Sequence, residues 1–155
     1  MSMTFRRAIF LGVAVLAIGA VLSPGQQPIQ TQSHNILDGV QVDLTSLEVR
    51  NNIVTVKFQI RNTGAAKQGC NFSYKDCYIM DETNQKKYFA LKDADGLFIA
   101  GPMYDDADGG RFWFDIGPGQ SKGFWIKFPN PTDNPKSIVI SIPDVSPFEE
   151  IPLGR

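Results

Sequence analysis

The chain holds one histidine, His34, and two cysteines, Cys70 and Cys77, in 155 residues. That scarcity excludes most metal-site and triad architectures by arithmetic, and the one histidine lies far in sequence from any acid or nucleophile that would form a site with it. Charge is nearly balanced, with 15 Lys plus Arg against 16 Asp plus Glu and a formal net charge of −1. A nucleic-acid partner requires a basic stripe that displaces counterions, and the sequence has none. Beyond the first 25 residues no window keeps a helical period, so α/β architectures are set aside. For an enzyme, only carboxylate or hydroxyl chemistry remains, and no pairing of those groups stands out among so many acids. The chain therefore reads as non-catalytic, with no cofactor and no metal implied.

What is present begins with a targeting pattern. Arg6 and Arg7 precede an uncharged apolar run over residues 8–22, followed by Ser23-Pro24-Gly25. Positive charge, apolar stretch and small residues in that order mark a secretory signal. The run covers about 22 Å as a helix, short of the roughly 30 Å hydrocarbon core, which argues against a permanent span. We expect a signal helix over residues 1–25. The small-residue cleavage pattern is imperfect, so an uncleaved anchor stays open, and through it a membrane contact. No cysteine follows the run to carry a lipid. Residues 26–37 are polar and Pro-punctuated, and are read as a flexible tether that contains His34.

From residue 38 to 155 the apolar residues recur with period two, the mark of half-buried strands. Val40/Val42/Leu44, Val54/Val56/Phe58/Ile60, Phe112/Phe114/Ile116, Phe124/Ile126/Phe128 and Ile138/Ile140/Ile142 are the clearest runs. Gly, Pro, Asn and Asp clusters separate them, as in Asn62-Thr63-Gly64 and Gly117-Pro118-Gly119. Seven or eight short strands at this spacing predict one all-β domain, an antiparallel sandwich. The tail is read as a closing extended segment that packs Phe148 and Ile151.

Several motifs carry a family resemblance. Phe58-x-Ile60-x-Asn62-x-Gly64, Asp81 with Lys87-Tyr88, Ile116-Gly117-Pro118-Gly119-Gln120-Ser121-x-Gly123, Phe128-Pro129 and Ile138-x-Ile140-x-Ile142 resemble the telokin-like, immunoglobulin-like domains of unknown function in exported bacterial proteins. The resemblance covers about residues 40–145. It implies an immunoglobulin-like fold and an extracytoplasmic setting, and it brings no shared catalytic residues.

Cys70 and Cys77 lie beyond the signal, where an oxidising compartment would join them in a disulfide across a tight Ser73-Tyr74 turn. The alternative is two small buried hydrophobes. Asp93-Ala94-Asp95-Gly96 and Asp106-Ala107-Asp108-Gly109 repeat an acidic motif, but neither offers the further ligands of an EF-hand loop, and both read as turns. A hairpin around residues 117–121 that pairs Phe114 with Phe124 would set Trp113 beside Trp125 on the outer face, with Arg111 and Lys127 at the end of the row. Two indoles so placed either clamp the hairpin or form a ligand surface.

These readings converge on an exported, non-catalytic interaction or structural module, periplasmic, secreted or membrane-tethered, whose partner is a protein or polysaccharide. The alternative is a carbohydrate- or small-ligand-binding module that uses Trp113, Trp125, Arg111 and Lys127.

Overall fold

The computed structural model describes residues 27–102 and 110–154. The expected signal helix and the second acidic motif lie outside the described residues. Among the described residues eleven strands are formed: β1 (Gln30–Ser33), β2 (Val40–Arg50), β3 (Ile53–Asn62), β4 (Gln68–Ser73), β5 (Tyr78–Asp81), β6 (Lys86–Phe89), β7 (Ala100–Gly101), β8 (Arg111–Ile116), β9 (Ser121–Pro129), β10 (Ser137–Ser141) and β11 (Phe148–Pro152). A single 3-10 turn, Tyr74–Asp76, is the only helical element among the described residues. All strand pairs are antiparallel, in a five-stranded sheet ordered β1-β2-β3-β9-β7, a four-stranded sheet ordered β11-β10-β5-β6 and a two-stranded ribbon, β4-β8.

The long β2-β3 hairpin is closed by Asn51 and Asn52, both at positive φ (50° and 62°). Asn tolerates that region, and two such residues give the turn whose twist matches the strands it joins. Val54, Val56, Phe58 and Ile60 are buried along one face of β3, and Phe124, Ile126 and Phe128 along the same face of β9. Phe58 and Phe124 are directly paired and stack with ring centroids 5.3 Å apart. Phe72 of β4 and Phe114 of β8 reach Phe124 at 5.2 and 5.5 Å, so the ribbon lies over the five-stranded sheet and this aromatic cluster fills the space between. The closing strand β11 buries Phe148 and Ile151 against β10, as its sequence suggests.

Asn62 accounts for the Asn-x-Gly motif. Fully buried, its Nδ2 donates to the carbonyls of Ala66 (2.7 Å) and Ile116 (3.0 Å), while its Oδ1 accepts from Gly64 N (2.9 Å). One side chain thus ties the end of β3 to the end of β8. The loop at Gly64 passes so close to Gly39 that a Cβ on Gly39 would lie 2.8 Å from Gly64 Cα, which leaves no room for any other residue there.

Three expectations are corrected. Residues 30–33 are not a flexible tether but the edge strand β1, held by the β2 ladder and by an Asp43 network in which Thr31 Oγ1 donates to Asp43 Oδ1 at 2.7 Å. Polar composition hid it, because an edge strand covers little core. Second, β8 and β9 are not a hairpin: the chain between them crosses from the ribbon to the five-stranded sheet, β8 pairing with β4 and β9 with β3 and β7. Third, Cys70 and Cys77 are both free and buried. Cys70 sits opposite Phe114 in the ribbon, whereas the Tyr74–Asp76 turn carries Cys77 toward β5 in another sheet, so the two are never cross-strand partners. The Cys77 thiol instead donates to the Ser73 carbonyl at 3.4 Å.

Candidate functional site

Because β4 and β8 turn Cys70, Phe72 and Phe114 inward, the alternate residues face out: Gly69 and Asn71 on β4, and Arg111, Trp113 and Asp115 on β8. Asn71 is directly opposite Trp113, Ser73 opposite Arg111 and Gly69 opposite Asp115. Opposed residues are about 5 Å apart and same-face neighbours on one strand about 7 Å, so the indole has an amide beside it and a charged side chain before and after it. Trp113 is 71% exposed, the most exposed large hydrophobic residue among the described residues. Gly69, with no side chain, leaves the flank of the indole open.

Three depressions lie in a row along this face. One of about 220 Å³ lies between Gly69 and Trp113. A second, of about 200 Å³, runs from Gly69 and Asn71 to a wall made by His34, Ile36, Leu37 and Asp144. A third, of about 80 Å³, is bounded by Asn71, Ser73, Asp76, Arg111, Pro143 and Asp144. Gly69 belongs to the first two, and Asn71 and Asp144 to the last two, so the second links the first to the third.

The wall is built by the lone histidine. His34 Nδ1 accepts from the backbone N–H of Ile36 and of Leu37, both at 3.2 Å, and Asn35 N donates to the Asp144 carbonyl at 2.7 Å. Partial burial pulls the His34 pKa below its usual value, against the opposing charge of Asp144, and favours the neutral ring that can accept those two bonds. Ser73 faces the third depression but is only 5% exposed, and its Oγ has no hydrogen-bond partner among the described residues. Asp115 is paired with Lys67 at 2.8 Å, an exposed contact that contributes little stability. The thiols offer no nucleophile: burial raises the Cys70 pKa, with Asp115 adding to it, and pushes Cys77 up further.

The four residues expected to form one surface are divided between two. Arg111 accompanies Trp113 on the ribbon. Trp125 lies on the outward face of the five-stranded sheet, opposite Lys57 on one side and Gly101 on the other, with its indole over Gly101, where a Cβ would overlap Nε1 and Cε2. It is 38% exposed. Lys127, two residues on, lines a separate polar depression of about 230 Å³ with Glu48, Arg50 and Asn51. Phe114 and Phe124 meet across the core, so the tryptophans beside them in sequence point away from each other. Asn71, Ser73 and Asp144 were missed from sequence. The β4-β8 pairing places Asn71 and Ser73 beside the Trp113 row, and the loop beyond β10 brings Asp144 to Asn71.

No family model matches the sequence, and a search of curated proteins finds no match. Among solved structures the chain is similar to the yjhA protein from Bacillus subtilis, at 7% identity over 77% of this chain and 82% of that one, with a TM-score of 0.47. It is also similar to a functionally unknown protein from Listeria monocytogenes EGD-e, at 10% identity over 80% of this chain and 87% of that one, with a TM-score of 0.40.

Proposed function

We propose that the chain is an exported, non-catalytic recognition module, a β-sandwich of immunoglobulin-like type delivered by a signal over residues 1–25, and that it binds its partner through the outward face of the β4-β8 ribbon. The observation that carries this reading is Trp113, a flat side chain left 71% exposed that lines one depression, with two more linked to it in turn through Gly69, Asn71 and Asp144. A solvent-facing indole has an unfavourable hydration cost that a partner relieves, and Trp and Arg are enriched at binding hot spots. The non-catalytic character is supported by how the reactive groups are used. The His34 acceptor nitrogen is committed to its own loop, and both thiols are buried. The layered arrangement of the ribbon over the five-stranded sheet supports the sandwich, and the Arg6-Arg7 and apolar pattern supports export.

A joint platform of Trp113 and Trp125 is not part of this reading, since the two indoles stand on different sheets. The test is retention on immobilised cell-envelope material. Wild type and Trp125→Phe should be retained and Trp113→Ala should pass through; equal behaviour of all three overturns the assignment of the surface. Export is tested separately, by N-terminal sequencing of the protein in fractions from outside the cytoplasm. Finding the chain only inside the cytoplasm with residues 1–25 intact would refute it.

A further inference from the structure

We infer that the outward face of the β4-β8 ribbon binds a neutral saccharide, with the Trp113 indole as the stacking platform and Asn71, Ser73, Arg111 and Asp144 as a hydrogen-bonding rim. The inference rests on the recognition surface proposed above and names its ligand class.

A pyranose ring presents a C–H face and a hydroxyl edge, and it needs a flat apolar surface beside groups that both donate and accept. The ribbon supplies that pairing within one cross-strand neighbourhood. Trp113 is the surface, and Asn71, directly opposite, carries an amide with both functions. Arg111 donates only, Asp144 accepts, and the Ser73 hydroxyl does either. Ser73 is the second, independent sign of a ligand. A buried hydroxyl without a partner is rare in a folded protein, and this one, unpartnered among the described residues, borders the cleft.

The charges argue against other ligands. Arg111 makes no ion pair among the described residues, yet an anion that approached it would also meet Asp76 and Asp144 in the same cleft. A metal ion has no ligand cluster among the described residues. An apolar peptide would have to bury the amide, guanidinium and carboxylate rim unpaired, at a cost that its side chains could not recover. A neutral polyhydroxyl compound meets none of these objections. The outward positions from Gly69 to Ser73 extend over roughly 13 Å, and the bare Gly69 backbone keeps the end beyond the indole open, so the face suits a short stretch of oligosaccharide rather than a single enclosed ring.

The experiment is a titration with four neutral probes, cellohexaose, xylohexaose, maltohexaose and chitohexaose, with polygalacturonate as the charged comparison. Intrinsic fluorescence of Trp125→Phe reports on Trp113 alone, and calorimetry serves the variants without that signal. We expect saturable binding of at least one neutral probe, weakened about tenfold or more in Trp113→Ala and unchanged in Trp125→Phe. Ser73→Ala separates binding from folding. With no side-chain hydrogen bond to lose among the described residues, its melting temperature should hold or rise while its affinity falls. Absence of binding by all four neutral probes, preference for polygalacturonate, or binding indifferent to Trp113→Ala overturns the saccharide assignment. If Trp113-dependent retention on envelope material survives those results, or is abolished by protease treatment of that material, the ligand class is wrong and the recognition surface stands. If retention is also indifferent to Trp113, both fall together.

Discussion

Replacing Asp43 tests how the edge of the five-stranded sheet is held. Asp43 points to the outer face of β2, yet it is 2% exposed because four hydrogen bonds enclose its carboxylate. Arg61 donates through Nε (2.9 Å) and Nη2 (3.1 Å), Gln59 through Nε2 (3.1 Å) and Thr31 through Oγ1 (2.7 Å). Arg61 is 36% exposed, so solvent screening limits its paired contact to about 1 kcal/mol. The Gln59 and Thr31 bonds to a charged acceptor contribute about 1 kcal/mol each at the low end of their range. Asp43→Ala should therefore cost about 3 kcal/mol, a fall in Tm of about 10 °C for a domain of this size. Asp43→Asn should recover little, since its NH2 group faces donors from Arg61 and Gln59. A double-mutant cycle with Thr31→Val isolates the β1 contact, and hydrogen exchange should show β1 amides losing protection first. The carboxyl adds a pH signature. Burial alone would raise its pKa, but the bonds from Arg61, Thr31 and Gln59 and the Arg61 charge hold it below the usual value. A lowered folded pKa means stability that is present above about pH 4 and is lost as pH falls through the folded value. Unchanged melting of Asp43→Ala at pH 7, or the same acid-induced loss in wild type and variant, would refute this account.

Four further outcomes follow from the geometry. Under native conditions Cys70 and Cys77 should resist alkylation, and after unfolding without reductant mass spectrometry should count two modified thiols; a mass that shows none would restore the disulfide. Gly101→Ala should displace the Trp125 indole, with a change in its fluorescence and a loss of about 1–3 kcal/mol by denaturant titration, and an unchanged spectrum would contradict the contact. Phe124→Ala, which removes the ring shared by Phe58, Phe72 and Phe114, should cost about 3–5 kcal/mol in the same titration. His34 has a lowered folded pKa, so its contribution is present above about pH 6.5 and is lost as pH falls through the folded value. Amide exchange at Ile36 and Leu37 should quicken over that range, and should be pH-insensitive apart from intrinsic chemistry in His34→Ala.

Strand existence was legible wherever a strand has one buried face. The alternation in Val54–Phe58 and Phe124–Phe128 marks β3 and β9 because every second residue enters the aromatic core. Pairing was less legible. Period two says which side chains share a face of one strand but not which strand lies beside it, and neighbours in sequence usually pair. That rule favours a β8-β9 hairpin, and it fails here because Phe114 and Phe124 pack across the core rather than side by side. The site was hidden for the same reason. Trp113 stands out in the sequence, but Asn71 and Ser73 come beside its row through the ribbon, and Asp144 comes to Asn71 through the loop beyond β10. β1 escaped notice because Gln30, Thr31, Gln32 and Ser33 carry no apolar pattern, and what fixes them is the Asp43 carboxylate a strand away.

The chain joins the five-stranded sheet at Ile29, whose N–H donates to the Leu44 carbonyl, and β1 then leads to His34 on the rim of the ribbon groove. Five residues of extended backbone, about 16 Å, separate those two points. Ile29 and the proposed recognition face thus stand apart on the domain. On the reading proposed above, a hold on the domain at Ile29 would leave that face pointing outward, as a lamp head sits away from its bracket.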